Sequence, residues 1–320
     1  MSLKINPKLK LFHNTRHASG RHSKIGRNEN STSPWLEKFD WVIDTHLDWK
    51  RGMRTMSKIK TEQRSPPQTV FVKMNHLKHF INNILPTIES EFVLCLGNAD
   101  KSIKRVLNKE QRKNLLNEKK IIKIFSEEKD IDSDRIRAVP IGIHPAPLIN
   151  YHNELKDLIK DINIEEKEKI VCGGWSPWGK TVFGTRRDRS EAQLYMENNK
   201  DFCYFFGGLT HVGYWEVVKS HRFFLSPLGT TYDSFKTFEA LALKTIPIIQ
   251  KLGVWQEAYE DLPVVMIDDF REITPENLDF WWKELSPELE NLHEKLTTDH
   301  QSPSCPPCAR HFCNRHNGPV

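Results

Sequence analysis

The stretch that decides the fold reads LSPLGTTYDSFKTFEALALKTIPII, residues 225–249. It follows a short apolar run, and its Ser, Gly and Thr residues predict a loop. Residues 234–243 then have helical spacing, and Ile246–Ile249 is an apolar strand-like run. A strand, a loop, a helix and a second strand in this order predict two parallel strands joined by a helical crossover.

The same alternation continues on both sides of this stretch and predicts an α/β protein with mostly parallel sheets, in two Rossmann-like halves that face a cleft. Strands are predicted at 70–72, 92–96, 121–125, 138–143, 170–172, 202–206, 223–225 and 264–267. Helices are predicted at 76–85, 151–162, 190–198, 211–220 and 275–285.

The charged stretch 165–169 predicts a domain boundary, which gives a first domain of residues 34–164 and a second of 165–296. Residues 1–33 are basic, polar and without periodicity, and we expect a disordered tail there. Residues 297–320 form a second tail that contains Cys and His.

The chain has 320 residues and a net charge of +5, which favours anionic ligands such as nucleotide phosphates. A nucleic-acid partner is disfavoured, because Lys alternates with Asp and Glu along most of the chain and no basic-aromatic motif occurs. The sequence contains no run of 18 apolar residues, so no membrane span is predicted. The N-terminus also lacks the apolar segment of a secretory signal.

The loop before the helix at 234–243 favours a diphosphate ligand, because free backbone N–H groups and the helix dipole attract anions. Asp233 or Ser234 is a suitable N-cap. Glu239 lies near the edge of the predicted buried face, where its carboxylate could accept both hydroxyls of a ribose. The alternative for Glu239 is an ordinary solvent-facing helix residue.

Five segments of the second half together resemble the C-terminal signature of exostosin-like glycosyltransferases: HRFFLSPLG at 221–229, Asp233, TFEAL at 237–241, IPII at 246–249 and YEDLPVV at 259–265. The resemblance extends over about residues 68–285 and is strongest over 214–268. It implies a GT-B fold, a nucleotide-sugar donor, commonly a UDP-sugar, and inverting chemistry that needs no metal or other cofactor. A glycan or glycoprotein hydroxyl would be the acceptor.

The resemblance also implies roles for single residues. Glu239 would bind the donor ribose, and the rest of the donor site would be formed by Ser226, Gly229, Asp233, Ser234 and Thr237. A non-catalytic carbohydrate- or nucleotide-binding module with the same fold is the alternative function. The protein is expected to be soluble and cytoplasmic as the chain stands, or of Golgi type if an anchor is missing from the chain.

Lys244 departs from the family pattern, which usually has Gly two residues before the I/V-P strand. If this residue closes the helix with a left-handed backbone, the side chain costs on the order of 1 kcal/mol.

Two further groups are expected in the cleft. The run Arg186-Arg187-Asp188-Arg189 follows a Gly-rich loop, and an arginine fork suits phosphate oxygens, with Arg187 the first candidate and Arg186 the second. Asp100, after the strand at 92–96, is the candidate proton acceptor, and His144 is its competitor. A surface basic turn and ordinary loop groups are the alternatives.

Metal signals are weak. Asp130-Ile131-Asp132 lacks the later residues of a calcium loop, and Asp268-Asp269 is more typical of a polar strand end than of a GT-A metal site. The last tail contains zinc-ligand residue types at close spacing, but few apolar residues with which to form a fold. We therefore expect no metal, with zinc as the minor alternative at Cys305, Cys308, Cys313 and His316.

Overall fold

The computed structural model describes residues 39–48, 53–60, 66–144, 150–175, 187–229, 231–251 and 253–296. For residues 45–48, 53–60, 187 and 188, only the backbone is described. The expected tails at 1–33 and 297–320, Arg186 and the proposed zinc ligands lie outside these residues.

The first sheet has six strands in the order β2-β1-β3-β4-β5-β6. Strands β1 and β2 form an antiparallel pair, and the remaining neighbours are parallel. The strands are β1 (Trp41–Asp48), β2 (Met53–Lys60), β3 (Thr69–Lys73), β4 (Phe92–Gly97), β5 (Ile121–Ser126) and β6 (Ile136–Ala138).

The second sheet has five strands in the order β11-β10-β9-β7-β8, and every neighbouring pair is parallel. The strands are β7 (Glu168–Gly173), β8 (Cys203–Phe205), β9 (His221–Leu225), β10 (Ile246–Gln250) and β11 (Val265–Ile267). The two mostly parallel sheets confirm the predicted α/β class, and the chain passes from the first sheet to the second between Ala138 and Glu168.

Helices connect the strands of both sheets. The α-helices are α1 (Leu77–His79), α2 (Ile103–Val106), α3 (Lys109–Asn117), α4 (His152–Lys160), α5 (Arg187–Asn198), α6 (His211–Ser220), α7 (Phe235–Ala242), α8 (Pro275–Leu285) and α9 (Leu292–Lys295). Short α1 lies within a longer helical segment, residues 74–87, whose remainder has 3-10 or π geometry. A further 3-10 segment, Gly253–Tyr259, follows β10. No described helix is both long and apolar enough to cross a membrane.

One predicted strand is displaced. The expected strand at 138–143 is found at Ile136–Ala138. It ends there because Pro140 has no N–H group to donate to a neighbouring strand, and Gly142 has a positive φ of 77° that strands do not adopt.

One apolar core runs from the first sheet into the second. One face of the first sheet contributes Phe71, Cys95 and Phe125 to this core, and Phe223 and Phe238 contribute from the second half. A separate cluster around Phe80 and Phe92 covers the other face of the first sheet. The two halves therefore pack against each other, and the loop after β9 contacts Glu128 just beyond the end of β5.

Lys244 follows α7 with a positive φ of 52°. Its backbone N–H donates to Leu241 O at 2.9 Å. Lys244 thus has the left-handed conformation that a glycine adopts without cost at this position.

Candidate functional site

The loop between β9 and α7 lies at the carboxyl edge of the second sheet, where parallel α/β sheets bind ligands. Ser234 is the N-cap of α7, and its side chain accepts a hydrogen bond from Lys236 N at 3.3 Å. At the start of the loop, Ser226 Oγ lies 2.8 Å from Thr237 Oγ1, and both side chains are buried. This bond fixes the loop against the first turn of α7.

Arg189 is the arginine that the structure brings to this loop. Its Nε donates to Leu228 O at 3.2 Å, and a Cβ atom on Gly229 would come within 2.6 Å of its Nη2. Glycine at position 229 is therefore what allows the guanidinium to approach the loop. Burial lowers the pKa of Arg189.

The sequence pointed to other arginines of the same run. Arg187 is the first residue of α5, and only its backbone is described, whereas Arg186 lies outside the described residues. Both stay predictions. Arg189 was passed over because nothing in the spacing of the run distinguishes its three arginines.

Lys236 is a second cation at the loop, and sequence reasoning missed it. Its Nζ donates to Gly174 O, beyond the end of β7, and lies 5.0 Å from the centre of the Tyr214 ring. Burial lowers the pKa of Lys236 to about 8, and the nearby Glu239 opposes this effect. Its position three residues before Glu239, on the same face of the helix, was the available signal.

Glu239 is buried, with 2% of its side chain exposed. Its Oε2 accepts a hydrogen bond from Trp215 Nε1 at 3.3 Å. Its Oε1 lies 3.5 Å from His211 Nε2, in an arrangement without hydrogen-bond geometry. Glu239 was expected near the edge of a buried face, whereas the structure buries its carboxylate between the two helices α6 and α7.

Three polar atoms around this carboxylate have no hydrogen-bond partner among the described residues: Glu239 Oε1, His211 Nε2 and Tyr214 Oη. A buried polar atom left unpaired costs about 1–3 kcal/mol. All three atoms are buried, although the His211 side chain as a whole is 31% exposed. Hydroxyl groups of a ligand would supply the missing partners.

The two candidate proton acceptors occupy different surroundings. The His144 ring lies 4.6 Å from the ring of Phe235, the first residue of α7. Asp100 is exposed, and its charge contributes to raising the pKa values of Glu127 and Glu128. His144 is thus placed beside α7.

Asp233 is fully enclosed at the junction of the two halves. Its Oδ1 accepts from Tyr259 Oη at 2.5 Å and from Ser234 N at 2.6 Å. Its Oδ2 accepts from Ile141 N of the first half at 2.7 Å. Burial raises the pKa of Asp233 to about 6, against the effect of these hydrogen bonds. Three hydrogen bonds from the protein itself thus already engage the carboxylate that was expected to bind the nucleotide-sugar.

Glu127 and Glu128 follow β5 and complete an acidic group that the sequence did not reveal. Burial raises the pKa of Glu128 to about 8 and that of Glu127 well above its usual range, and the neighbouring carboxylates add to both shifts. Glu127 Oε2 accepts from Asn98 N at 2.8 Å.

No described group of three His, Cys, Asp or Glu side chains is arranged to hold a metal ion. Asp269 instead caps the 3-10 turn Phe270–Glu272 and pairs with Arg271 at 2.6 Å.

No protein-family model matches the chain, and no curated protein matches its sequence. The exostosin-like resemblance therefore stays a prediction from its motifs.

Several solved structures are similar to the chain at low identity. The GtfA/B complex matches 73% of this chain and 55% of its own at 9% identity and a TM-score of 0.39. TarM matches 78% of this chain and 55% of its own, at 10% identity and a TM-score of 0.40. An alpha-glucosyltransferase in complex with UDP and a 13-mer DNA matches 77% of this chain and 79% of its own, at 13% identity and a TM-score of 0.35.

The chain spans about half the length of the GtfA/B and TarM chains that it matches. TM-scores of this size are too low to assign a function, which has to be inferred from the residues of the site.

Proposed function

We propose that the chain is a glycosyltransferase that moves a sugar from a nucleotide-sugar donor, a UDP-sugar in the simplest case, to a hydroxyl of a glycan or glycoconjugate. The observation that supports this most directly is the carboxylate of Glu239, buried with one oxygen unpaired among the described residues. A ribose offers two adjacent hydroxyl donors, which suit such an oxygen and the polar atoms next to it.

Two cations beside the same helix support a diphosphate ligand. Arg189 contacts the loop at Leu228, and Lys236 lies in the first turn of α7. The N-terminus of α7 adds the positive end of the helix dipole. Because Arg189 and Lys236 would offset the phosphate charge, we propose that turnover needs no metal ion.

The transfer we propose is inverting. The acceptor hydroxyl oxygen attacks the anomeric carbon, the bond from that carbon to the diphosphate oxygen breaks, and a nucleoside diphosphate leaves. The hydroxyl proton passes to a base. Asp100 and His144 remain the candidates, and the contact of His144 with Phe235 at the start of α7 favours His144.

A panel of nucleotide-sugars tests the proposal in two steps. The first step is thermal stability with each nucleotide or nucleotide-sugar, where a ligand at a hundred times its dissociation constant adds about 2.7 kcal/mol. The second is release of nucleoside diphosphate and formation of a glycosylated product with a panel of acceptors. Binding and turnover of at least one nucleotide-sugar are expected. Binding without turnover would support the non-catalytic binding module instead.

A further inference from the structure

Reciprocal hydrogen bonds join the loop before α7 to the first half of the molecule. Glu128 of the first half accepts, at its Oε2, a hydrogen bond from Tyr232 N of the loop at 2.8 Å. Asp233, the next loop residue, accepts from Ile141 N of the first half at 2.7 Å. Each half thus provides one carboxylate and one backbone N–H group.

Both carboxylates are enclosed. Glu128 and Asp233 are each 3% exposed. Glu128 Oε1 has no hydrogen-bond partner in the part of the chain that the structure describes. A buried carboxylate is costly unless it is bonded, so the energy of these contacts depends on the two halves staying together.

A third carboxylate crosses between the halves without touching the loop. Glu257 Oε2 pairs with Lys129 Nζ at 2.7 Å, and its Oε1 accepts a hydrogen bond from Ala138 N. Glu257 therefore provides a matched comparison for Glu128: it bridges the halves but makes no contact with residues 231–234 in these bonds.

We propose that Glu128 and Asp233 form a reciprocal clamp that holds loop residues 231–234 against the first half and thereby positions the loop and the N-terminus of α7 for the donor. This inference rests on the proposed function for its effect on donor binding, but not for the clamp itself. Glu128 and Asp233 act in it as positioning residues, because their oxygens contact the backbone of the opposite half.

Charge makes the clamp depend on pH. The charged or titratable groups around the pair are Asp100, Arg105, Glu127, Lys129, Asp130, Tyr232, Glu257 and Tyr259. Carboxyl groups predominate close to Glu128, and a neutral carboxyl still accepts an N–H bond through its carbonyl oxygen. Ionisation of Glu128 and Asp233 therefore adds repulsion without adding a bond.

The direction of the pH effect follows from the raised pKa values. The pKa of Glu128 is about 8 and that of Asp233 about 6, both above the values of the unfolded chain. The stability contributed by these protons is fully present below the unfolded pKa values. It declines as pH rises above them, and it is lost once pH has passed about 6 for Asp233 and about 8 for Glu128. We expect the clamp to be weaker at high pH than at neutral pH.

Hydrogen exchange of the full chain without ligand tests the clamp directly. In Glu128→Ala, the protection factor of the Tyr232 amide should fall by about tenfold or more, since its acceptor is gone. Glu128→Gln retains a carbonyl acceptor and should preserve most of that protection while removing the part that declines with pH. Glu257→Ala, the matched control for Glu128→Ala, should lower protection at Ala138, whose acceptor it removes, and leave Tyr232 unchanged.

UDP affinity measured on the same proteins tests the positioning role. Roughly tenfold weaker binding is expected for Glu128→Ala, and near wild-type binding is expected for Glu128→Gln and Glu257→Ala. Unchanged Tyr232 protection in a folded Glu128→Ala protein would overturn the clamp. Unchanged UDP affinity despite lost protection would overturn its positioning role. If wild type binds no nucleotide while Tyr232 responds as expected, the proposed function fails and the clamp stands.

Discussion

Replacing Glu239 by Gln is the most informative single change in the proposed donor site. Glu239 Oε2 is engaged by Trp215 Nε1 at 3.3 Å, whereas Oε1 has no hydrogen-bond partner among the residues described. Gln keeps the shape and one oxygen acceptor, so the Trp215 bond can persist. The negative charge is lost, and an NH2 group, which donates, replaces the unpaired oxygen Oε1 that would accept from the ribose hydroxyls.

The expected loss follows from the energy of such bonds. A hydrogen bond to a charged group contributes about 1.5–3 kcal/mol. Weakening the ribose contacts by about 1.4–2.8 kcal/mol corresponds to a tenfold to hundredfold weaker affinity for the nucleotide. The fold should remain stable, because Gln and Glu have similar helix propensities.

Calorimetric titration with UDP, with melting temperatures recorded alongside, measures this effect. Glu216→Gln is the matched control, since Glu216 is an exposed glutamate on α6, the helix that carries His211 and Trp215. The control should bind UDP like the wild type. Equal UDP affinities for wild type and an equally folded Glu239→Gln protein would refute the ribose assignment.

Three further outcomes are expected. Lys236→Met should weaken UDP binding by about tenfold and uridine binding little, because it removes a charge near the diphosphate; equal losses for both ligands would contradict this. Lys244→Gly should raise the free energy of unfolding by up to about 1 kcal/mol in a denaturant titration, because φ is 52° at this residue; a loss of stability would contradict that reason. EDTA should leave turnover unchanged, and activity abolished by EDTA and restored by manganese would contradict metal independence.

Local signals predicted much of the second half. Helices α6 and α8 begin and end at the predicted residues, because Thr210 and Thr274 are good N-caps and Pro275 favours a first turn. The same kind of signal was available for α3, where Asn108 and Gln111 form a capping box before a run of charged residues.

Other features depend on contacts between distant segments. The β1–β2 hairpin was not predicted, because β2 is rich in Lys and Met and lacks an alternating apolar pattern. Glu127 and Glu128 look like ordinary surface residues in the sequence. Their burial arises where the loop containing Tyr232 packs against the end of β5, which no local pattern encodes.

The candidate site shows the same division. Periodicity placed Glu239 on the correct helix, and the loop composition indicated where an anion would bind. Which arginine reaches Gly229 depends on how α5 packs, and the structure brings Arg189 there. Asp233 was assigned to the donor from the family resemblance, whereas in the structure its carboxylate accepts from Tyr259 and from Ile141 of the first half.

Hydrogen exchange with and without saturating UDP tests the central claim most directly, because it locates the nucleotide without presupposing any residue's role. Binding at the second sheet's carboxyl edge predicts slower exchange in the loop and first turns of α7, residues 226–239, and around Gly174 after β7. Unchanged exchange in these segments, or protection confined to residues before Lys160, would contradict a nucleotide-sugar site in the second half of the molecule.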